Sequence, residues 1–159
     1  MTGSTPAENI MIAGDSAGGG LSLACLLALK DRGMPLPGCA TLISPFTDFT
    51  FSGESVEHER ETFAKGGSPY IGDFPPETVG VSPLWGDMEG LPPLLIQVAS
   101  DEALLDDSTR LERRAGDAGV SVNIRLFDEA FHVFQIFTEF PESQDALSDI
   151  GNFFDRHIQ

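Results

Sequence analysis

The sequence predicts an α/β fold in which a parallel sheet of about four strands is flanked by helices. Short, continuous apolar runs alternate along the chain with stretches of helical periodicity, and 41% of the 159 residues are hydrophobic. Continuous apolar runs are typical of strands that a parallel sheet buries on both faces. The length corresponds to one domain with a core of its own, so we expect residues 1–159 to form a single domain.

A strand, a helix and a second strand are predicted in the first third of the chain. Residues 9–13 are a short apolar run. Residues 17–32 carry apolar side chains at three- and four-residue spacing until Gly33, which indicates a helix with a glycine stop. Residues 39–43 are a second apolar run before Pro45. This order is the sequence form of a βαβ unit with a buried parallel sheet.

Residues 45–93 interrupt that alternation. The segment is rich in proline and glycine and contains isolated aromatic residues such as Phe46, Phe63 and Trp85. Irregular segments of this length inside a compact domain are usually functional, so we interpret residues 45–93 as a lid-like insert.

Regular elements resume after the insert. Residues 94–98 and 123–127 predict two further strands, and residues 107–118 predict the helix between them. Residues 142–157 carry an apolar stripe at helical spacing and predict a final amphipathic helix. The complete order is β-α-β, insert, β-α-β-α.

The composition excludes several classes of partner and cofactor. Nine basic residues stand against 25 acidic ones, and the net charge of −16 makes nucleic acid an unexpected partner. The longest strongly apolar stretch, residues 21–29, is far shorter than the roughly 20 residues that span a membrane, and residues 1–9 lack the features of a signal peptide. We therefore expect a soluble, cytoplasmic protein in which Cys25 and Cys39 are buried free thiols. Zinc-site spacings and nucleotide-binding glycine motifs are absent from the sequence, so neither a metal nor an organic cofactor is expected.

A candidate nucleophile lies at the junction between the first strand and the first helix. Gly14-Asp15-Ser16-Ala17-Gly18 fits the pattern G-x-S-x-G, in which a serine occupies a sharp strand-to-helix turn. We expect the backbone of Ser16 to be strained, and Gly14 and Gly18 to remove side chains that would collide. The N–H of Ala17, at the positive end of the helix, would bind an oxyanion. A phosphate-binding turn or a merely tight turn is the alternative.

A serine nucleophile needs a base, and the chain contains three histidines. His132 follows a predicted strand, which is where parallel sheets place their chemistry, so it is the preferred base. His58 lies in a charged run and His157 near the end of the last helix, and we expect both to be exposed. A histidine packed in the core is the alternative for His132.

The base needs an orienting acid, and two adjacent carboxylates follow the third predicted strand. Asp101 and Glu102 come directly after the strand at 94–98, and the residues alone leave both as candidates. Asp106 and Asp107 lie in the first turn of the next helix, where a structural role is expected.

Six motifs occur in the order known from one family of hydrolases. They are Gly-Asp-Ser-Ala-Gly-Gly (14–19), Leu-Ile-Ser-Pro-Phe-Thr-Asp (42–48), Ser-Pro-Leu-Trp-Gly-Asp (82–87), Gly-Leu-Pro-Pro-Leu-Leu-Ile-Gln-Val (90–98), Asp-Glu-Ala-Leu-Leu-Asp-Asp (101–107) and His-Val-Phe (132–134). With them the chain resembles the hormone-sensitive-lipase branch (family IV) of the α/β-hydrolase esterases. The resemblance implies that Asp15 supports the site by hydrogen bonding and that Asp48 is structural.

The same resemblance implies a carboxylic ester hydrolase that acts on small, short-chain acyl esters. Ser16 would form the acyl-enzyme and His132 would serve as the base. The family pattern aligns Glu102 with the acid of the triad, and Asp101 is the neighbour to consider if the register slips by one residue.

The resemblance is to the C-terminal half of such enzymes. In the family, a His-Gly-Gly-Gly segment upstream of the nucleophile completes the oxyanion hole, whereas no histidine of this sequence is followed by glycine. We therefore expect the first strands and the cap of the family to be lacking, with turnover reduced by ~10²–10³. Residues 9–13 would then form an exposed apolar sheet edge that favours a homo-oligomer. A non-catalytic, hydrolase-like binding module and an inactive truncated fragment are the alternatives to an esterase.

Overall fold

The computed structural model describes residues 5–158 (at 66–68, the backbone only). A sheet of four strands in the order β1-β2-β3-β4 forms its centre. The strands are β1 Met11–Asp15, β2 Cys39–Ile43, β3 Leu94–Ala99 and β4 Val122–Phe127. All neighbours are parallel, and one line across the sheet joins Gly14, Leu42, Ile96 and Ile124. The carboxyl ends of the four strands therefore lie along the same edge of the sheet.

Helices cover both faces of the sheet. They are α1 Ala17–Asp31, α2 Arg60–Ile71, α3 Leu105–Asp117 and α4 Pro141–His157, and short 3-10 turns occupy Ala7–Asn9, Pro83–Trp85 and Phe134–Ile136. On one face Leu23 of α1 and Leu111 of α3 pack in one cluster with Ile96, and on the other Phe153 of α4 packs with Leu95. All six residues of β3 are buried, and five of them are apolar, as expected of a strand that is covered on both faces. Across residues 5–158, none of the helices combines the length and the apolar composition needed to cross a bilayer.

The predicted α/β fold with about four parallel strands is confirmed. The strand at 39–43 has its predicted bounds, whereas the first strand spans residues 11–15 instead of 9–13. It ends later than predicted because Asp15 still pairs with Ile43. The last helix begins one residue early, at Pro141, where a proline suits the first helical position.

The largest difference from the predicted elements lies in the insert, residues 45–93. Its proline and glycine content did not predict a helix, yet residues 60–71 form α2, with Pro69 inside it. Phe63 of α2 packs against the buried cluster that contains Phe46 and Phe49. Tertiary packing of an apolar face outweighs poor intrinsic helix propensity here. The lid-like role of the insert stays a prediction.

Strand β1 lies at one edge of the sheet. Among residues 5–158 it pairs only with β2, and Ala13 and Asp15 on it are exposed. An edge strand presents backbone groups that can pair with another chain. A homo-oligomer formed through this edge stays a prediction.

The two cysteines lie on neighbouring elements, Cys25 in α1 and Cys39 at the start of β2. Both are free thiols; Cys39 is buried, as expected, whereas Cys25 is only half-buried. Burial raises the pKa of the Cys39 thiol, which disfavours the reactive thiolate.

Two consecutive aspartates of α3 hold the beginning of the insert. The Oδ2 atom of the buried Asp107 accepts hydrogen bonds from the backbone N–H groups of Thr47 (2.6 Å) and Asp48 (2.9 Å). Asp106 accepts hydrogen bonds through Oδ2 from the backbone N–H groups of residues 54–55. Both carboxylates thus connect α3 to the backbone of the insert.

Burial and hydrogen bonding change the pKa values of Asp107 and Asp48 in opposite directions. Burial raises the pKa of Asp107 to about 6, although two backbone N–H groups stabilise its charged form. Burial also opposes the ionisation of Asp48, but hydrogen bonds from Ser52 and Thr50 outweigh it and lower this pKa to about 2. Asp48 also forms an ion pair with Arg110 of α3, with 3.1 Å between Oδ2 and Nη1. It is a buried centre of hydrogen bonds between the insert and α3.

The substitution Asp107→Asn is expected to change how stability depends on pH. A carboxyl group whose pKa is raised by folding binds more protons in the native state, so its contribution to the free energy of unfolding falls as the pH rises from about 4 to about 6. The free energy of unfolding of the wild type minus that of D107N should therefore fall by roughly 2–3 kcal/mol between about pH 4 and pH 7. Urea denaturation of both proteins across that range measures it. A difference in the free energy of unfolding that stays constant with pH would contradict the raised pKa of Asp107 in the folded protein.

Candidate active site

Ser16 occupies the turn between β1 and α1. Its backbone angles, φ 50° and ψ −119°, define a conformation that residues other than glycine rarely adopt. Its N–H donates to the carbonyl oxygen of Ile43 (2.8 Å), and its carbonyl oxygen accepts from the N–H of Phe46 (2.9 Å). These two bonds to the segment at the end of β2 hold the strained conformation. Such strain persists where the surrounding structure imposes it, and it is concentrated at functional sites.

Glycines beside Ser16 allow two backbone segments to approach closely. A Cβ on Gly14 would overlap the carbonyl group of Gly18, so the collision expected at Gly14 is found. The collision expected at Gly18 is not found: apart from its chain neighbours and the backbone of its own helix, an added Cβ would meet no described atom within 4 Å. Gly20 was not predicted as a site residue, yet a Cβ there would overlap the carbonyl oxygen of Phe46. Its signal in the sequence is the continuation of the glycine run at 18–20.

His132 lies on the loop that follows β4. Its Nε2 atom is 2.9 Å from Oγ of Ser16, and its Nδ1 atom is 2.9 Å from Oε1 of Glu102. With the proton on Nδ1, the imidazole donates to the carboxylate and accepts from the serine hydroxyl. Glu129 and Val133, on either side of His132, both have positive φ (57° and 56°), so the loop turns sharply at both ends. The structure thus brings together the three residues predicted as nucleophile, base and acid.

Of the two adjacent carboxylates, the structure brings Glu102 to His132. The side chain of Glu102 is 3% exposed, and its Oε2 atom accepts hydrogen bonds from the hydroxyl of Ser44 (2.7 Å) and the N–H of Ala99 (3.0 Å). Asp101 is exposed, and its side chain makes no hydrogen bond with any residue in the range 5–158. Ser44 was not predicted as a site residue, because a serine before a proline is a common turn signal.

The two remaining site candidates on this turn differ in their surroundings. Ala17 is the first residue of α1, so its N–H has no acceptor within the helix and lies at the positive end of the helix dipole. It lies beside Ser16 and lines the same cavity. Asp15 is exposed, and within the described part of the chain its carboxylate accepts no hydrogen bond. Its supporting role stays a prediction.

A cavity of about 330 Å³ opens beside Ser16. The first turns of α1 form one side, and the insert forms the other with mostly aromatic side chains. Its walls include Leu21, Phe46, Phe49, Phe63, Tyr70 and Val81. The ring centroids of Phe46 and Phe63 are 5.1 Å apart, and the hydroxyl of Tyr70 donates to the carbonyl oxygen of Gly80. An apolar group bound covalently or non-covalently at Ser16 would fit between these walls.

The other two histidines lie outside this arrangement. His58 is exposed, and His157 is half-buried against the ring of Phe153, with 4.6 Å between ring centroids. His157 was expected to be exposed, and its packing on α4 accounts for the difference. In the part of the chain that the structure describes, no three His, Cys, Asp or Glu side chains are placed to hold a metal ion.

The chain matches the family of the α/β-hydrolase fold over residues 3–136 and therefore belongs to it. Among its relatives, an esterase of Acinetobacter venetianus is 39% identical over 156 residues, and an acetyl-hydrolase of Streptomyces hygroscopicus is 40% identical over 157 residues. These alignments cover 92% and 93% of this chain and 52% of each relative. The chain thus spans about half the length of the curated relatives it matches.

Solved structures identify the branch of that family. The crystal structure of an esterase from the bacterial hormone-sensitive lipase family superposes with a TM-score of 0.92 and 38% identity, covering 96% of this chain and 55% of that one. A hormone-sensitive lipase from a metagenome library superposes with a TM-score of 0.90 and 39% identity, over 96% of this chain and 55% of that one. The chain belongs to the hormone-sensitive-lipase branch (family IV), as the motifs indicated.

Backbone strain at Ser16 predicts an unusual effect of a glycine substitution. Glycine adopts positive φ without steric cost, whereas alanine retains the strain, so Ser16→Gly should be more stable than Ser16→Ala by about 1 kcal/mol. The comparison is internally controlled because both variants lose the same hydroxyl and its bond to His132. Urea denaturation of the two variants measures the difference. If Ser16→Ala proves the more stable variant, the turn does not store strain.

Proposed function

We propose that this chain carries the active site of a serine carboxylesterase. The observation that supports the proposal is the continuous hydrogen-bonded chain from Ser16 through His132 to Glu102, with 2.9 Å at both links. These distances suit proton transfer between a hydroxyl and an imidazole, and orientation of that imidazole by a carboxylate. The neighbouring apolar cavity suits an uncharged ester.

In the proposed reaction, Oγ of Ser16 attacks the ester carbonyl carbon while Nε2 of His132 takes the hydroxyl proton. Glu102 accepts the Nδ1–H hydrogen bond and stabilises the imidazolium that forms. The tetrahedral intermediate collapses, the C–O bond to the alcohol breaks, and His132 gives its proton to the leaving oxygen. Water then attacks the acyl-enzyme with His132 as base, releases the carboxylic acid and restores Ser16.

The negative charge of each tetrahedral intermediate needs a donor beside Ser16. The N–H of Ala17 is adjacent to the nucleophile and is free of intrahelical bonding, so it is the proposed oxyanion donor. The helix dipole of α1 adds a partial positive charge at the same place. Gly18 also lines the cavity at this helix end and leaves it open, because it has no side chain.

We propose that the acyl part of the ester occupies the aromatic cavity. The volume of about 330 Å³ and the walls formed by Leu21, Phe46 and Phe63 favour short, uncharged acyl groups. The net charge of −16 disfavours anionic substrates at long range.

Hydrolysis of p-nitrophenyl acetate and butyrate by purified protein tests the proposed triad. Ser16→Ala and His132→Ala should each lower kcat/KM by at least about 10³-fold, because nucleophile and base act as a unit. Glu102→Ala should lower it by about 10²–10⁴-fold through loss of imidazole orientation.

Asp101→Ala provides the matched control for the acid. Its carboxylate is adjacent in sequence but exposed, so kcat/KM should stay within about twofold of the wild type. Equal rates for the wild type and Ser16→Ala would contradict the esterase proposal and favour a binding module. A large loss in Asp101→Ala with none in Glu102→Ala would reverse the assignment of the acid.

Acyl-chain selectivity tests the role of the cavity. Phe63→Ala removes an aromatic wall, so the ratio of kcat/KM for p-nitrophenyl octanoate to that for the acetate should rise by about tenfold or more. Phe74→Ala removes an aromatic ring of the same insert that is 65% exposed and does not line the cavity, so the ratio should not change. An unchanged ratio in Phe63→Ala would place the acyl group elsewhere.

A further inference from the structure

Ser44, directly after β2, has an unusual backbone conformation. Its φ is 43°, which lies in the left-handed region, although it is neither glycine nor asparagine. It also precedes Pro45, and residues before proline are normally extended. Its N–H donates to the carbonyl oxygen of Gln97 (2.7 Å), and the residue is completely buried, so the surroundings impose this conformation. Conformations of this kind are concentrated at functional sites.

This conformation brings the hydroxyl of Ser44 to the proposed acid. Oγ donates to Oε2 of Glu102 at 2.7 Å, and the N–H of Ala99 donates to the same oxygen at 3.0 Å. The other oxygen, Oε1, is thereby left for Nδ1 of His132. Hydrogen bonds at both oxygens fix the plane of the carboxylate as well as its position.

A glutamate needs such a restraint, because its long side chain has several rotamers and loses considerable conformational entropy when it is fixed. The bond between Glu102 and His132 depends on the direction of the carboxylate. A carboxylate in another rotamer would no longer point an oxygen at the Nδ1 proton, and the imidazole would lose its orientation.

We propose that Ser44 is a positioning residue, whose hydroxyl holds the Glu102 carboxylate so that His132 is oriented towards Ser16. The inference rests on the proposed function and extends the hydrogen-bonded chain to a fourth residue. Ser44 touches neither the substrate nor the reacting atoms in this role and acts only through Glu102.

Ser44→Gly separates this role from a purely structural one. Glycine tolerates the positive φ and removes the hydroxyl, whereas Ser44→Ala removes the hydroxyl and keeps the strain. We expect both variants to lower kcat by about 10- to 100-fold with KM within about twofold, because a hydrogen bond to a charged group is lost. Ser44→Gly should unfold at a temperature no lower than that of Ser44→Ala. A normal kcat in Ser44→Gly would overturn the proposal.

Ser108→Ala is the matched control for the loss of a buried hydroxyl. Ser108 is also fully buried, and its Oγ atom has no hydrogen-bond partner among residues 5–158. Its kcat should therefore equal that of the wild type. A loss in Ser108→Ala as large as that in Ser44→Gly would mean that any buried serine matters equally, and would overturn the specific role of Ser44.

A double-mutant cycle tests whether Ser44 acts through Glu102. In a Glu102→Ala background the hydroxyl has no carboxylate to hold, so adding Ser44→Gly should lower kcat by less than about twofold. A loss in this background as large as in the wild type would overturn the proposal.

Proton NMR provides a readout that does not depend on esterase activity. The Nδ1 proton of His132, bonded to Glu102, should resonate far downfield and should disappear in Glu102→Ala. Ser44→Gly should shift or broaden this resonance, and Ser108→Ala should leave it unchanged. If the wild type hydrolyses the esters no faster than Ser16→Ala, the proposed function fails, and this resonance still decides the role of Ser44. An identical resonance in the wild type and Ser44→Gly would overturn it.

Discussion

Residues 14–20 and 43–46 approach each other so closely that their backbones hydrogen-bond directly, and a side chain at Gly20 would overlap the carbonyl oxygen of Phe46. The two bonds made by the backbone of Ser16 belong to this contact. The contact determines the position of the serine hydroxyl, and it places Phe46 in the wall of the cavity. Ser44 lies within the same segment and takes its conformation there. Nucleophile, cavity wall and carboxylate restraint therefore depend on one region of close backbone packing.

The parallel sheet gathers the other groups at the same edge. Ser16, Ser44 and Glu102 follow β1, β2 and β3, and His132 lies beyond β4. Strands in a sheet are about 4.8 Å apart, so the base comes from a strand end roughly 14 Å away from the nucleophile. The loop after β4 returns across two strand ends to reach Ser16, and the positive φ angles around His132 make that return possible. Ser16 and His132 are therefore in contact although 116 positions separate them in the sequence.

Much of this arrangement could be predicted, because the strand ends are visible in the sequence as the ends of apolar runs. The strand-to-helix turn at Ser16 and the position of His132 after a strand both follow from that pattern. Helix α2 could not be predicted, because its stability comes from packing of Phe63 on distant aromatic residues. The pattern also could not distinguish Asp101 from Glu102, because both follow β3 directly and the sequence does not show which of the two side chains points towards His132. Ser44 is recognised only once its φ angle and its contact with Glu102 are known.

The groups proposed for reactivity and most of those proposed for selectivity lie on separate segments of this chain. The groups proposed for bond making and breaking follow the strands, whereas the aromatic side of the cavity belongs to the insert. Asp106, Asp107 and Arg110 of α3 form hydrogen bonds with the first residues of that insert. Substitutions within α2 can alter the shape of the cavity while the strand ends keep their positions. In evolutionary terms, a division of this kind allows substrate preference to change through substitutions in one segment while the catalytic groups on the other keep their geometry.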